Sequence, residues 1–160
     1  MRRVIFLKIL VISDTHGNIN NAIEAIKNEK CDYCVHLGDM AADCEDLEAV
    51  FPRQKFIFVK GNNDFWLRDA SYPEERFFTI EGKNFFVCHG HKYNVKHSLD
   101  ALKAKGRELG ADIILYGHTH SKHLENDGQV LVLNPGAHRS YGIIIIENGK
   151  INASLIEDKL

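Results

Sequence analysis

No stretch of this 160-residue chain is apolar for long enough to cross a membrane. The longest early run, Val4 to Ile12, is interrupted by Lys8 and falls far short of the roughly 20 residues that a membrane helix needs. No sign of charge dominates either, since 20 Lys and Arg stand against 22 Asp and Glu, a formal charge of −2. That balance offers no strong nucleic-acid signal, because there is no cationic field to hold a phosphate backbone non-specifically. Cysteine is sparse: Cys31, Cys34, Cys44 and Cys88 include one Cys-x-x-Cys pair and no second to complete a zinc site. The pair lies where a predicted helix runs into a strand, whereas a redox cysteine gains from a helix N-terminus, so all four are read as reduced packing residues. Repeats, low-complexity tracts and Pro- or Gly-rich linkers are also lacking, and residues 1–160 are expected to form a single domain. Arg2 and Arg3 lead into Ser13-Asp14-Thr15-His16 without a small-residue cleavage site, which predicts a cytoplasmic chain.

What is present is ordinary globular composition, 44% hydrophobic and 26% charged. Leu7 to Ile12 reads as a strand, and Asn18 to Lys30 as a helix from Ile19, Ala22, Ile23 and Ile26 at helical spacing. Tyr33 to Leu37 and Lys55 to Val59 read as further strands, flanking a short helix capped by Asp43 with Leu47, Val50 and Phe51 on its apolar side. Strands alternating with helices favour right-handed βαβ units and a parallel sheet. Further on, Phe77 to Ile80 and Phe85 to Cys88 form a hairpin signal. A helix with Val95, Leu99, Leu102 and Leu109 on one face follows, stopped by Gly110. The remaining strands are Asp112 to Tyr116, His123 to Glu125, Gln129 to Leu133, Gly142 to Ile146 and Lys150 to Ile156. The mixture predicts one α/β (α+β) unit with two layers of sheet.

Chemistry gathers at the ends of the apolar runs. Asp14-Thr15-His16, Gly38-Asp39, Gly61-Asn62-Asn63-Asp64, His89-Gly90-His91 and Gly117-His118-Thr119-His120 each follow one. In open α/β sheets ligands bind at the carboxyl ends of strands, where all of these sit. Asp-x-His and His-x-His point two side chains the same way in extended chain, so each pair can grip one ion. Asp, His and Asn donors without a thiolate suit an open catalytic site better than a closed structural zinc site. Taken singly, each motif also has an ordinary reading as a turn, a helix cap or surface histidines.

Together these motifs resemble the calcineurin-like metallophosphoesterase family, in particular its small single-domain phosphodiesterase branch, which is also similar to the retromer subunit vacuolar protein sorting 29. The resemblance runs from Asp14 to His120 and extends to the Asn134-Pro135-Gly136 turn. It implies a two-sheet β-sandwich flanked by helices. It also implies two divalent ions, with Asp14, His16 and His120 on one, Asn62, His89 and His118 on the other, and Asp39 bridging them. A hydroxide shared by two such ions attacks phosphorus in line. Mn is the ion the family suggests, with Fe, Ni, Co and Zn accepting the same donors.

One position departs from the family: Asn63 stands where the wider pattern has a His that assists the leaving oxygen. Asn63 transfers no proton, and general acid catalysis contributes about 10²–10⁴-fold, so its replacement favours diesters with good leaving groups. Asp64, which would orient that His, is expected to fix the loop. His91, two residues after a ligand, and Arg139, whose guanidinium suits phosphate oxygens, are the candidate substrate contacts. His36 is expected in the core or behind the ligands, His97 and His123 at the surface, and Trp66 over the core. With no segment in the sequence given for a cap domain, a small phosphodiester is the expected substrate. The competing readings are a phosphomonoesterase with the same metal site and a protein-binding scaffold on the same fold, since fold does not imply activity. Edge strands of a small sandwich can pair between subunits, so a homo-oligomer stays open.

Overall fold

The computed structural model describes residues 6–64 and 72–157; Trp66 lies outside them. β1, Phe6–Ile12, is buried on both faces. Leu7, Ile9 and Val11 point between two sheets, while Leu10 and Ile12 point toward helices. α1, Asn20–Glu29, packs Ala22, Ala25 and Ile26 on that second face and ends at Lys30 in a left-handed conformation. β2 (Tyr33–His36) and β3 (Lys55–Phe58) run parallel to β1, with α2 (Ala41–Val50) between them. Asp43 does not cap α2, contrary to the sequence reading. The helix starts ahead of it with Met40 as N-cap, and the Asp43 carboxylate is drawn instead to Thr15 and Gly17 of the preceding loop.

The second sheet begins with the hairpin of β4, Glu75–Ile80, and β5, Lys83–Cys88. α3, Asp100–Leu109, starts later than its apolar series suggests, because Asn94 adopts a left-handed φ and residues 94–98 turn. Val95 and Leu99 still pack on the same cluster as Leu102, so the apolar face was legible although the helix start was not. The chain continues through β6 (Ile113–Leu115), β7 (His123–Asn126), β8 (Leu131–Asn134), β9 (Ser140–Glu147) and β10 (Lys150–Glu157).

The sheet orders are β10-β9-β1-β2-β3 and β4-β5-β6-β8-β7. Each therefore contains a parallel triad, β1-β2-β3 in one and β5-β6-β8 in the other. Between the sheets lies a single apolar layer that includes Ile9, Val35, Ile57, Phe85, Ile113 and Leu133. α1 and α2 cover the outer face of the first sheet and α3 that of the second, which makes a two-sheet sandwich flanked by helices. All four cysteines are free and buried, packed in these layers, and burial pushes each thiol up from its usual pKa. Among the described residues no helix is long and apolar enough to cross a membrane.

Candidate metal centre

The carboxyl ends of both parallel triads meet at one edge of the sandwich, and the loops leaving them are laced together by backbone hydrogen bonds. The Asp14 amide donates to the Gly38 carbonyl at 3.1 Å, and the Gly117 amide to the His89 carbonyl at 2.8 Å. Close approach requires glycine here: a Cβ on Gly38 would come within 2.5 Å of the Gly61 nitrogen, and one on Gly61 would collide with the Asp39 carboxylate.

These loops turn sharply enough that Asp14 (φ 55°), His16 (48°), Asp39 (61°), His118 (71°) and His120 (61°) are all left-handed. Such a conformation costs an L-residue roughly 1–2 kcal/mol and persists only where the surroundings hold it. The pairs His118–His120 and Asp14–His16 are therefore not extended; Asp14 and His16 still join one group, whereas spacing misleads for His118 and His120. His120 turns to Asp14 and His16, whereas His118 turns to His89.

Two groups of side chains result. Ligand atoms of Asp14, His16, Asp39 and His120 lie within 4.8 Å of one another. His89 Nε2 is 3.0 Å from Asn62 Oδ1 and 3.2 Å from His118 Nδ1, which gathers the second group. Asp39 touches both, since its Oδ1 is 3.5 Å from His89 Nε2. Burial pushes the Asp39 carboxyl up, but His89 and two hydrogen bonds from Asn63 outweigh it and hold the group below its usual value. For His118, burial and then the neighbouring His89 favour the neutral ring that can ligate.

The arrangement fits a divalent ion. Asp14 is fully buried, and its Oδ2 accepts from the Ser13 hydroxyl at 2.6 Å and the His118 amide at 3.3 Å. Its Oδ1 accepts no hydrogen bond, yet it faces Nε2 of His120 at 3.2 Å, of His16 at 3.9 Å and of His89 at 4.0 Å. An orphaned carboxylate oxygen ringed by imidazole nitrogens is costly unless a cation completes it. His89 Nδ1 lies 2.7 Å from the Leu37 carbonyl, which can only accept, so the ring proton sits there and Nε2 turns a lone pair into the site.

Residues 7–143 match the calcineurin-like phosphoesterase superfamily domain. The chain belongs to that superfamily. Two relatives are a probable metallophosphoesterase of Bacillus subtilis, 31% identical over 89% of this chain and 86% of its own, and a phosphodiesterase of Methanocaldococcus jannaschii, 33% identical over 81% and 83%. In fold it is similar to vacuolar protein sorting 29 from Cryptosporidium parvum, with TM-score 0.74, 20% identity and coverage of 97% of this chain and 99% of that one.

The remaining predicted residues fall around this superfamily site. The Asn63 side chain turns back, its amide donating to Asp39 Oδ2 at 2.9 Å and its backbone N–H to Asp39 Oδ1 at 3.0 Å. Asp64 fixes the loop as expected, accepting from the Asp39 amide at 2.9 Å and the Gly61 amide at 2.7 Å. His91 leans on His89, with ring centroids 5.5 Å apart, and its Nδ1 is buried without a hydrogen bond. Arg139 is exposed on the loop after β8, and His138 beside it comes within 6.3 Å of His16, centroid to centroid. His36 is buried behind the ligands, His97 is exposed and His123 half-buried. Asn134 was legible only as part of a turn. Its buried amide clamps the His118 loop, donating to the Gly117 carbonyl at 3.1 Å and Thr119 Oγ1 at 2.9 Å. The hydrogen bonds of Thr15 to His36 and Asp43 gave no signal, because those partners lie on elements distant in sequence.

Proposed function

We propose that the chain is a phosphodiesterase with a dinuclear metal centre acting on a small phosphodiester, formed as one domain over residues 1–160 and working in the cytoplasm. In this reading Asp14, His16 and His120 hold one ion, Asn62, His89 and His118 the other, and Asp39 joins the two. The observation that carries it is the orphaned Asp14 Oδ1 among three imidazoles, a donor set suited to hold a cation.

Two divalent ions held there supply an activated water and the positive charge that offsets the phosphoryl oxygens. Oxygen and imidazole donors suit Mn, the ion we assign, and also admit Fe, Ni, Co or Zn. The rest falls to the chain. Asp39, which lies near both ligand sets, would keep them in register, and Asn63 pins that carboxylate with two hydrogen bonds. In this reading His91 and Arg139 meet the outer phosphate oxygens. Because Asn63 brings no transferable proton to the leaving oxygen, activated diesters are favoured over poor leaving groups.

Hydrolysis of bis-p-nitrophenyl phosphate after chelation and restoration with Mn, beside the monoester p-nitrophenyl phosphate, tests the reading. We expect Mn-dependent turnover of the diester in preference to the monoester. Asp39→Asn should lose both ions and the activity together, since a neutral amide serves two cations poorly. Two ions retained in that variant would remove Asp39 from the bridging role. Faster monoester turnover would reassign the reaction, and two bound ions without turnover would make the chain a binding protein.

A further inference from the structure

Behind the first ligand loop lies a line of buried polar groups that belongs to neither ligand set. The Gly38 amide donates to His36 Nδ1 at 3.1 Å, which places the ring proton on Nε2. That nitrogen donates to Thr15 Oγ1 at 3.0 Å, and the Thr15 hydroxyl donates onward to Asp43 Oδ2 at 2.5 Å. The same Asp43 oxygen accepts the Gly17 amide at 2.9 Å. Thr15 and Gly17 flank His16, so the line grips the first loop on both sides of a ligand and ends on the residue before Asp39.

Three features make this more than packing. His36, Thr15 and Asp43 are 0%, 6% and 4% exposed, and the bonds from Gly38 through His36 and Thr15 to Asp43 are buried. The loop they hold is left-handed at Asp14, His16 and Gly17, a shape that needs external support. Burial lowers His36 to about 4, which keeps the ring neutral, donating at one nitrogen and accepting at the other. Ligands outside this loop have other support: His89 rests on the Leu37 carbonyl, and the bridging Asp39 is held by Asp64 and Asn63.

We propose that His36, Thr15 and Asp43 form a positioning relay that holds the Asp14–His16 loop ready for its ion and so sets the affinity of that ion apart from the one held by Asn62, His89 and His118. The proposal rests on the two-ion reading above. Asp43 contributes in a second way: among the described residues no Lys or Arg pairs with it, and its carboxylate would add negative charge behind an ion held by the loop.

The test is calorimetric Mn²⁺ titration of the chelator-stripped full chain, with the metal-free thermal midpoint recorded beside it. Wild type should take up two ions. Thr15→Val keeps the shape and removes the hydroxyl, and should weaken one ion by about 10–100-fold while leaving the other unchanged. Thr15→Ser should restore wild-type binding. Asp43→Asn, which retains an acceptor oxygen for both donors, should weaken the same ion through loss of charge. Unchanged affinities in Thr15→Val and Asp43→Asn, equal weakening of both ions, or failure of Thr15→Ser to rescue would overturn the relay. A wild-type chain that binds two ions while these variants behave as wild type leaves the metal centre standing and removes only the relay. A wild-type chain that takes up no Mn²⁺ overturns both.

Discussion

On the proposed reading, Asn63 redirects the site without disturbing its ligands. A family His at this position serves the leaving oxygen, whereas the shorter Asn63 amide turns back to Asp39 and becomes a clamp on that carboxylate. Asn63→His exchanges the clamp for a proton donor. Its benefit should scale with how badly the leaving group needs a proton, up to the 10²–10⁴-fold that general acid catalysis contributes. We expect kcat/KM to rise for alkyl diesters and to change little for bis-p-nitrophenyl phosphate, which flattens the dependence of rate on leaving-group pKa. A uniform change across the series would mean that position 63 acts through Asp39 and not on the leaving oxygen.

At the scale of elements, hydrophobic period located most strands to within a residue or two, because β1, β5 and β8 are apolar runs that end at sharp polar turns. What period could not convey was partnership. β9 returns to pair with β1, setting Leu10 opposite Ile143, and nothing local to either segment encodes a pairing so distant in sequence. The same gap hid the roles of Thr15 and Asp43. The motifs themselves were legible, but the left-handed turns that divide His118 from His120 were not, since Asp and His adopt positive φ more often than most residues but still uncommonly, too weak a sign to place a turn. Gly106 is a related case, since inside α3 it looks like a weak point. A Cβ there would lie 2.9 Å from Ile114 Cγ1, so the glycine lets the helix sit close against β6. Gly106→Ala gains about 1 kcal/mol of helix propensity but overpacks a fully buried contact, which typically costs about 1–3 kcal/mol. We expect net destabilisation in denaturant titration with the metal centre intact. A stabilised variant would show that Ile114 can move aside and that the close approach is not needed.

For the molecule as a whole, two parallel triads aimed at one edge concentrate polar groups where the sandwich is otherwise dry. Asp14, Asp39, Asp43, Asp64, His36 and His89 are all buried there. Stability without metal must therefore depend on pH. His36 is the clearest contributor, because burial lowers its pKa from 6.5 to about 4. Between those values the unfolded chain binds the proton and the folded chain does not, so acidification favours unfolding. The stability held above pH 6.5 is lost as pH falls toward 4, by up to about 3 kcal/mol at 1.36 kcal/mol per pKa unit. His91 and His118 are also lowered by burial and push the same way. Asp39, held below the usual carboxylate value of 3.8, gives up its contribution only at lower pH, beneath this window. Denaturant unfolding of the metal-free chain at steps from pH 7 to 4.5 should therefore show falling stability. In His36→Gln the starting stability should be lower and the slope shallower, because the ring that must charge on unfolding is gone. An unchanged slope would mean that His36 is not the proton acceptor and that the acid sensitivity belongs to other groups, His91 and His118 among them.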